Sequence, residues 1–279
     1  MDEHGYARAA LISGGVLRFE AAGTGPVVVL VHGNFVDARM WDSQFKDFAE
    51  VFTAVRYDLR GFGASPAADV PYSHHGDLRE LLAHLGHDRA HLVGLSLGGN
   101  VVLDAAVAFP DLAASLVVVP GWPLKPEPWM ERGWQTISDA VHEHDLVAAC
   151  EAIMHFPPMR SLHRRPDLRR RVVEMIDAYP WSNFERDEEY AELEPPAMER
   201  LTEIRCKTLV LSGALDDPAF HETGSFIAEH VPRAQRRVIP DAGHMVNMEQ
   251  PEVFNRIVHS FIADAESNLP AAGAAPMSL

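Results

Sequence analysis

Apolar residues along this chain fall into short unbroken runs separated by amphipathic stretches, and the two kinds of segment take turns. Residues 6–31 first alternate apolar with polar and then run apolar, which predicts a leading hairpin followed by a strand buried on both faces. Residues 40–48 have helical spacing, 52–57 strand character, 75–85 helical spacing again, and 91–94 form a further buried strand. Residues 100–108 place apolar side chains at helical spacing until Phe109-Pro110 stops them, and 116–120 read as another strand. After Val119 the alternation breaks. Residues 122–198 hold no convincing strand but several amphipathic helical segments, many prolines and four of the five tryptophans. The alternation resumes at Leu201, with strands at 208–213 and 235–239. This is the pattern of an α/β fold, a mostly parallel doubly wound sheet with an inserted helical cap. It divides into a first core part at 1–121, a cap at 122–198, a second core part at 199–264, and an Ala/Pro/Gly-rich tail at 265–279 expected to be mobile.

The chemistry concentrates where the strand at 91–94 ends. Gly94-Leu95-Ser96-Leu97-Gly98 is Gly-x-Ser-x-Gly between a buried strand and an apolar helix, the context of a nucleophile elbow. Strand and helix come so close in such a turn that a side chain at Gly94 or Gly98 would collide with neighbouring backbone. Outside that context the five-residue pattern is a Gly-rich turn. A serine hydroxyl is a weak nucleophile at neutral pH, so Ser96 calls for a histidine base and a carboxylate to orient it.

Both lie downstream in the order serine, acid, histidine. The strand at 208–213 is followed by Ala214-Leu215-Asp216-Asp217-Pro218, which presents a carboxylate at the end of the strand, where ligands meet an open parallel sheet. Asp216 is the expected acid. Asp217 is its rival, although its place before Pro218 suits the start of a helix. The strand at 235–239 leads to Pro240-Asp241-Ala242-Gly243-His244, which makes His244 the expected base; the other fourteen histidines lack both the order and the loop.

Taken together, these segments resemble the α/β-hydrolase superfamily over residues 16–263. Val27-Val-Val-Leu-Val-His32-Gly33-Asn34 is similar to that family's third strand and His-Gly turn, and Asp58-Leu59-Arg60-Gly61-Phe62-Gly63-Ala64-Ser65 to its Asp-x-Arg-Gly-x-Gly-x-Ser turn. Gly243 to Glu252 resembles its histidine loop. Within the superfamily the chain looks most like small bacterial serine esterases of the enol-lactonase and cofactor-free haloperoxidase group. The resemblance implies two backbone oxyanion donors, Leu97 at the helix N-terminus and Asn34 after the His-Gly turn, with Phe35 as a one-residue alternative. It also implies acyl transfer through an acyl-enzyme, with ester or lactone hydrolysis leading. Carbon–carbon hydrolysis, perhydrolysis, acyl transfer to an alcohol, and a non-hydrolytic binding or rearrangement role are alternatives on the same residues. Asp58, Arg60 and Ser65 are read as turn architecture, and Glu249 as an anchor for the helix after the histidine loop.

The cap tryptophans Trp122, Trp129, Trp134 and Trp181, with Phe35, Phe156, Met159 and Met245, are the expected walls of a broad apolar pocket for an aromatic or polycyclic acyl group. Ordinary lid packing is the plainer account of each tryptophan, and Trp122, directly after a strand end, is the best exception.

At 279 residues and 47% hydrophobic, the chain can form one large core with an insertion. A net charge of −16 repels a phosphate backbone, so nucleic acid is excluded as a partner and a small-molecule substrate is expected. Cys150 and Cys206 have no metal-type spacing, so free thiols, no metal and no cofactor are expected. No run of about 18 apolar residues occurs and the N-terminus lacks a basic stretch leading into an apolar one, which points to a cytoplasmic protein without a membrane partner. Oligomeric state leaves no mark in the sequence.

Overall fold

The computed structural model describes residues 8–68, 70–185 and 190–267. Strands β1 (Arg8–Ile12) and β2 (Gly15–Ala22) form the leading hairpin. There follow β3 (Val27–Val31), helix α1 (Asp42–Phe48), β4 (Thr53–Tyr57), α2 (His74–His84), β5 (Ala90–Leu95), α3 (Leu97–Ala108) and β6 (Ala113–Val119). The insertion carries α4 (Pro128–His142), α5 (Leu146–Met154), a 3-10 segment (Pro157–Arg164), α6 (Pro166–Asp177) and α7 (Ser182–Glu185). After it come β7 (Lys207–Gly213), α8 (Pro218–His230), β8 (Ala234–Ile239), α9 (Val246–Glu249) and α10 (Pro251–Glu266).

The strands form one sheet in the order β1-β2-β4-β3-β5-β6-β7-β8, antiparallel only where β2 meets β1 and β4. Every residue of β3, β5 and β6 is buried, as parallel strands covered on both faces require. Each such Val or Leu contributes about 1.5–3 kcal/mol by leaving water. The edge strand β8 instead alternates, with Gln235 and Arg237 exposed, which discourages pairing with another chain.

The chain runs from β3 outward to β4 and then crosses back to β5 on the far side of β3. Right-handed crossovers therefore put α1 on one face and α2 and α3 on the other; α10 packs on α1, and α2 on α3. The reversal opens a crevice at the carboxyl ends of β3 and β5, the place where open α/β sheets bind ligands. His32-Gly33 and Ser96 sit there.

Two local features depart from the expected pattern. The helix expected at 40–48 starts with a 3-10 turn, Ala38–Trp41, because Asp37 accepts a hydrogen bond from Arg39 N–H and sets the chain turning early. Helix α10 runs through Glu266, past the expected core boundary at 264, since Ala265 is still buried. The rest of the expected tail, 268–279, lies outside the described residues. Cys150 and Cys206 are buried free thiols. No helix among the described residues is long and apolar enough to cross a membrane.

Candidate active site

Ser96 joins β5 to α3 with φ 57° and ψ −119°, a strained conformation for a residue with a side chain. Its N–H donates to Val119 O at 3.0 Å and its carbonyl accepts from Asn100 N–H at 3.2 Å, so neighbouring β6 and the first helical turn hold the strain in place. A Cβ at Gly94 would strike the Gly98 carbonyl, and one at Gly98 the Val31 carbonyl. Leu97, the first residue of α3, belongs to a turn whose N–H groups lack intrahelical acceptors and lie at the positive end of the helix dipole.

His244 and Asp216 are brought together by loops after β8 and β7. Ala214 N–H donates to Ile239 O and Leu215 N–H to Ala242 O, both at 2.8 Å, which stitches the acid loop to the histidine loop. His244 Nδ1–H donates to Asp216 Oδ2 at 2.9 Å, leaving Nε2 as the free nitrogen. Both side chains are buried, and the Phe220 ring lies 4.5 Å from the imidazole. Asp217 does other work. Its carboxylate caps α8, accepting from Ala219 N–H at 3.1 Å. No hydrogen bond joins Ser96 Oγ to His244 among the described residues; such contacts often tighten only with substrate bound.

The histidine loop is strapped by the insertion. Arg165 donates to Glu249 O at 3.0 Å and to Asp241 O, spanning the loop from end to end, and its Nε lies 3.4 Å from the buried Glu249 carboxylate. Ser161 Oγ–H donates to the same carboxylate at 2.8 Å.

The His-Gly turn is equally fixed. His32 Nδ1–H donates to Gly33 O at 2.7 Å and Nε2 accepts from Leu59 N–H at 2.9 Å, a pattern that needs a neutral ring. Burial pushes the His32 pKa down to about 4, which keeps the ring neutral. Phe35 is held at φ 63°, and its N–H donates to Asn34 Oδ1 at 3.0 Å, so that N–H is already engaged. Asp58 accepts from Ala38 and Ala64 N–H, at 2.9 and 2.8 Å, and Ser65 Oγ–H donates to Asp58 O at 2.8 Å. Those two residues tie the neighbouring turn together, while buried Arg60 pairs with Asp77 at 2.7 Å.

Ser96, Leu97 and Asn34 border one cavity of about 400 Å³. Of the eight side chains expected to line it, only Trp122 does so, and it is 54% exposed. Phe35, Trp134, Phe156 and Trp129 form an aromatic seam between insertion and core, with ring centroids 5.1 Å apart for Phe35–Trp134 and 5.7 Å for Trp129–Phe156. The seam reaches the site's edge where Trp129 meets Phe220 at 6.3 Å. Trp181 packs on Tyr179, and Met159 and Met245 are buried in the core. Sequence reasoning missed Asn100 and Asp104, which face the cavity from α3, and Tyr190, Glu192 and Met198 from the end of the insertion. The helical spacing from Ser96 through Asn100 to Asp104 carried a signal for the first two; the irregular stretch 190–198 carried none.

Among the described residues no group of three His, Cys, Asp or Glu side chains is placed to hold a metal. A second serine–histidine–carboxylate array does exist, with His91 bridging Ser115 Oγ at 2.8 Å and Glu266 Oε1 at 3.1 Å. Ser115 is 0% exposed, so that array pins α10 to the sheet instead of meeting a substrate.

Relatives of known name align along most of the chain. A Caulobacter sp. (strain K31) protein named "Putative carbamate hydrolase RutD" is 30% identical over 85% of this chain and 90% of its own. The 3-oxoadipate enol-lactonase 1 of Acinetobacter baylyi is 26% identical over 85% and 88%. The solved structure of a thermophilic esterase from Thermogutta terrifontis superposes with a TM-score of 0.80 at 29% identity, covering 93% of this chain and 99% of that one. The model of the alpha/beta hydrolase family matches residues 28–257, the stretch that holds the parallel strands, the elbow and the histidine loop, and the chain belongs to that family.

Proposed function

We propose that this protein is a serine hydrolase that cleaves an ester or lactone of a small molecule. Ser96 Oγ attacks the acyl carbonyl while His244 Nε2 takes its proton. Asp216 keeps the proton of the neutral ring on Nδ1 and stabilises the imidazolium that forms. The developing oxyanion is met by the Leu97 and Asn34 N–H groups; Asn34 is preferred to Phe35 because the Phe35 N–H is already bonded to Asn34 Oδ1. His244 then returns the proton to the leaving alcohol, and water attacks the acyl-enzyme with the same base. The insertion acts as a lid over Ser96.

The observation that carries this reading is the strained elbow, which presents Ser96 at a helix N-terminus on the wall of a cavity it shares with both N–H donors. The names of the enol-lactonase and esterase relatives support carboxylic ester chemistry. Carbamate cleavage is the second reading, favoured by the relative at 30% identity. The test is intact mass after treatment with a fluorophosphonate, for the wild type and for Ser96→Ala and His244→Ala. One adduct in the wild type that is lost in both variants is expected. A folded wild type without an adduct would falsify the mechanism. An aryl ester and an aryl carbamate of matched leaving group then separate the two chemistries by kcat/KM.

A further inference from the structure

The cavity in front of Ser96 has a charged wall. Along α3 the side chains that face it are Leu97, Asn100, Leu103 and Asp104, and the opposite wall brings Tyr190 and Glu192. Among the described residues, no lysine, arginine or histidine lines it. Asp104 accepts the Ala197 N–H and has no ion-pair partner among the described residues; burial and the nearby Glu192 carboxylate raise its pKa to about 6. The same two carboxylates, after burial, push the Tyr190 phenol well up, so Tyr190 stays a neutral donor. Arg60, which lies against the Tyr72 ring, is taken up by Asp77. A partly buried carboxylate without a counter-charge is costly, and a ligand that brings the counter-charge removes that cost.

Resting on the serine-hydrolase reading, we propose that Asp104 and Glu192 select the substrate by charge, seating a substituted ammonium at the far end of the cavity and turning carboxylate-bearing esters away. The helix sets the spacing. Asp104 lies eight residues beyond Ser96, about 12 Å along the axis at 1.5 Å per residue, so the ammonium belongs on the end of the substrate remote from the scissile carbonyl. Asn100, one turn from each, faces the middle of such a ligand, where an ether or amide fits its side chain.

The experiment uses three p-nitrophenyl phosphonates that differ only in the tail: trimethylammonium, its neutral tert-butyl isostere, and carboxylate. The rate constant for phosphonylation of Ser96 is measured with each, for the wild type, Asp104→Asn and Glu192→Gln. A cavity of one sign changes association by about 10- to 10³-fold, so the ammonium probe should react at least ~10-fold faster than the neutral one, and the carboxylate probe slowest. In each variant the ratio of ammonium to carboxylate rates should fall several-fold, and added salt should narrow the wild-type ratio. Glu192 is exposed, so Glu192→Gln keeps the test valid even where Asp104→Asn folds poorly. Equal rates in the wild type, or a carboxylate probe that reacts fastest, would overturn the charge selection while leaving the serine mechanism intact. Labelling by none of the three, with no fluorophosphonate adduct, would overturn the mechanism and the selection with it.

Discussion

Asp216 and Asp217 are chemically identical neighbours with separate duties, and the difference lies in which N–H or ring each carboxylate meets. Asp216 receives the His244 Nδ1–H at 2.9 Å, whereas Asp217 closes the first turn of α8. Asp216→Asn should lower kcat by about 10³–10⁴-fold, because the amide no longer holds the required tautomer. Asp217→Ala should leave turnover in place and cost about 1 kcal/mol of stability through the lost cap. Steady-state kinetics beside thermal melts check both. At this scale the residues of the proposed reaction were legible because strain and chemistry restrict them: a side chain at position 94 or 98 meets backbone, and His244 alone among the histidines sits on the loop that directly follows the last strand. The choice between Asn34 and Phe35 as donor was not legible. It turns on a hydrogen bond within two adjacent residues, from Phe35 N–H to Asn34 Oδ1, and either residue type could occupy such a turn.

Among the elements, the histidine loop depends on a segment more than seventy residues upstream. Arg165 spans the carbonyls of Asp241 and Glu249, and Ser161 holds the Glu249 carboxylate. Arg165→Ala leaves that buried carboxylate short of its cation and should cost about 3 kcal/mol. It should also lower kcat by roughly tenfold with a smaller effect on KM, since the base loses its placement. Arg165→Lys keeps the charge without the planar fork, so it should recover stability more than kcat. Melting curves and a separate comparison of kcat and KM distinguish these outcomes. The strands and helices of the core were readable because burial on two faces forces unbroken apolar runs. The insertion was readable as helical but not as a binding surface. A tryptophan sequence announces a large apolar body in need of cover, and Trp134 finds that cover in Phe35 and Phe184.

For the molecule as a whole, stability should fall as the solution is acidified. Burial lowers the His32 pKa to about 4 and the His74 pKa to about 3 from 6.5. Above pH 6.5 neither state is protonated at these rings and their contribution is complete. As pH falls below 6.5 the unfolded chain takes up protons that the folded one refuses, at about 1.4 kcal/mol per pH unit for each ring, and the contribution is lost once pH passes through the folded values. Asp104, raised to about 6, works in the opposite sense between its unfolded value of 3.8 and 6, as does Asp77, which burial also raises, but burial lowers His75 and His91 as well, so the histidines outnumber the carboxyls. Urea midpoints at pH 7.5, 6 and 5 should therefore decline, and a flat series would contradict the account. The acidic net charge was plain in the sequence, but the meeting of Asp104 and Glu192 on the cavity wall was not, because the fold brings together positions far apart along the chain.

The middle and the end of the insertion have different licence to diverge. Residues 157–165 are knotted to the loop that carries His244, the proposed base, so change there should alter the chemistry along with the fit. Residues 190–198 meet α3 and the turn at Tyr72, and they line the cavity from the side away from the His244 loop's ties to Ser161 and Arg165. New substrate preferences can be acquired by rewriting those nine positions while the reaction itself is inherited unchanged, and a mutant library confined to them is the shortest route to a repurposed enzyme.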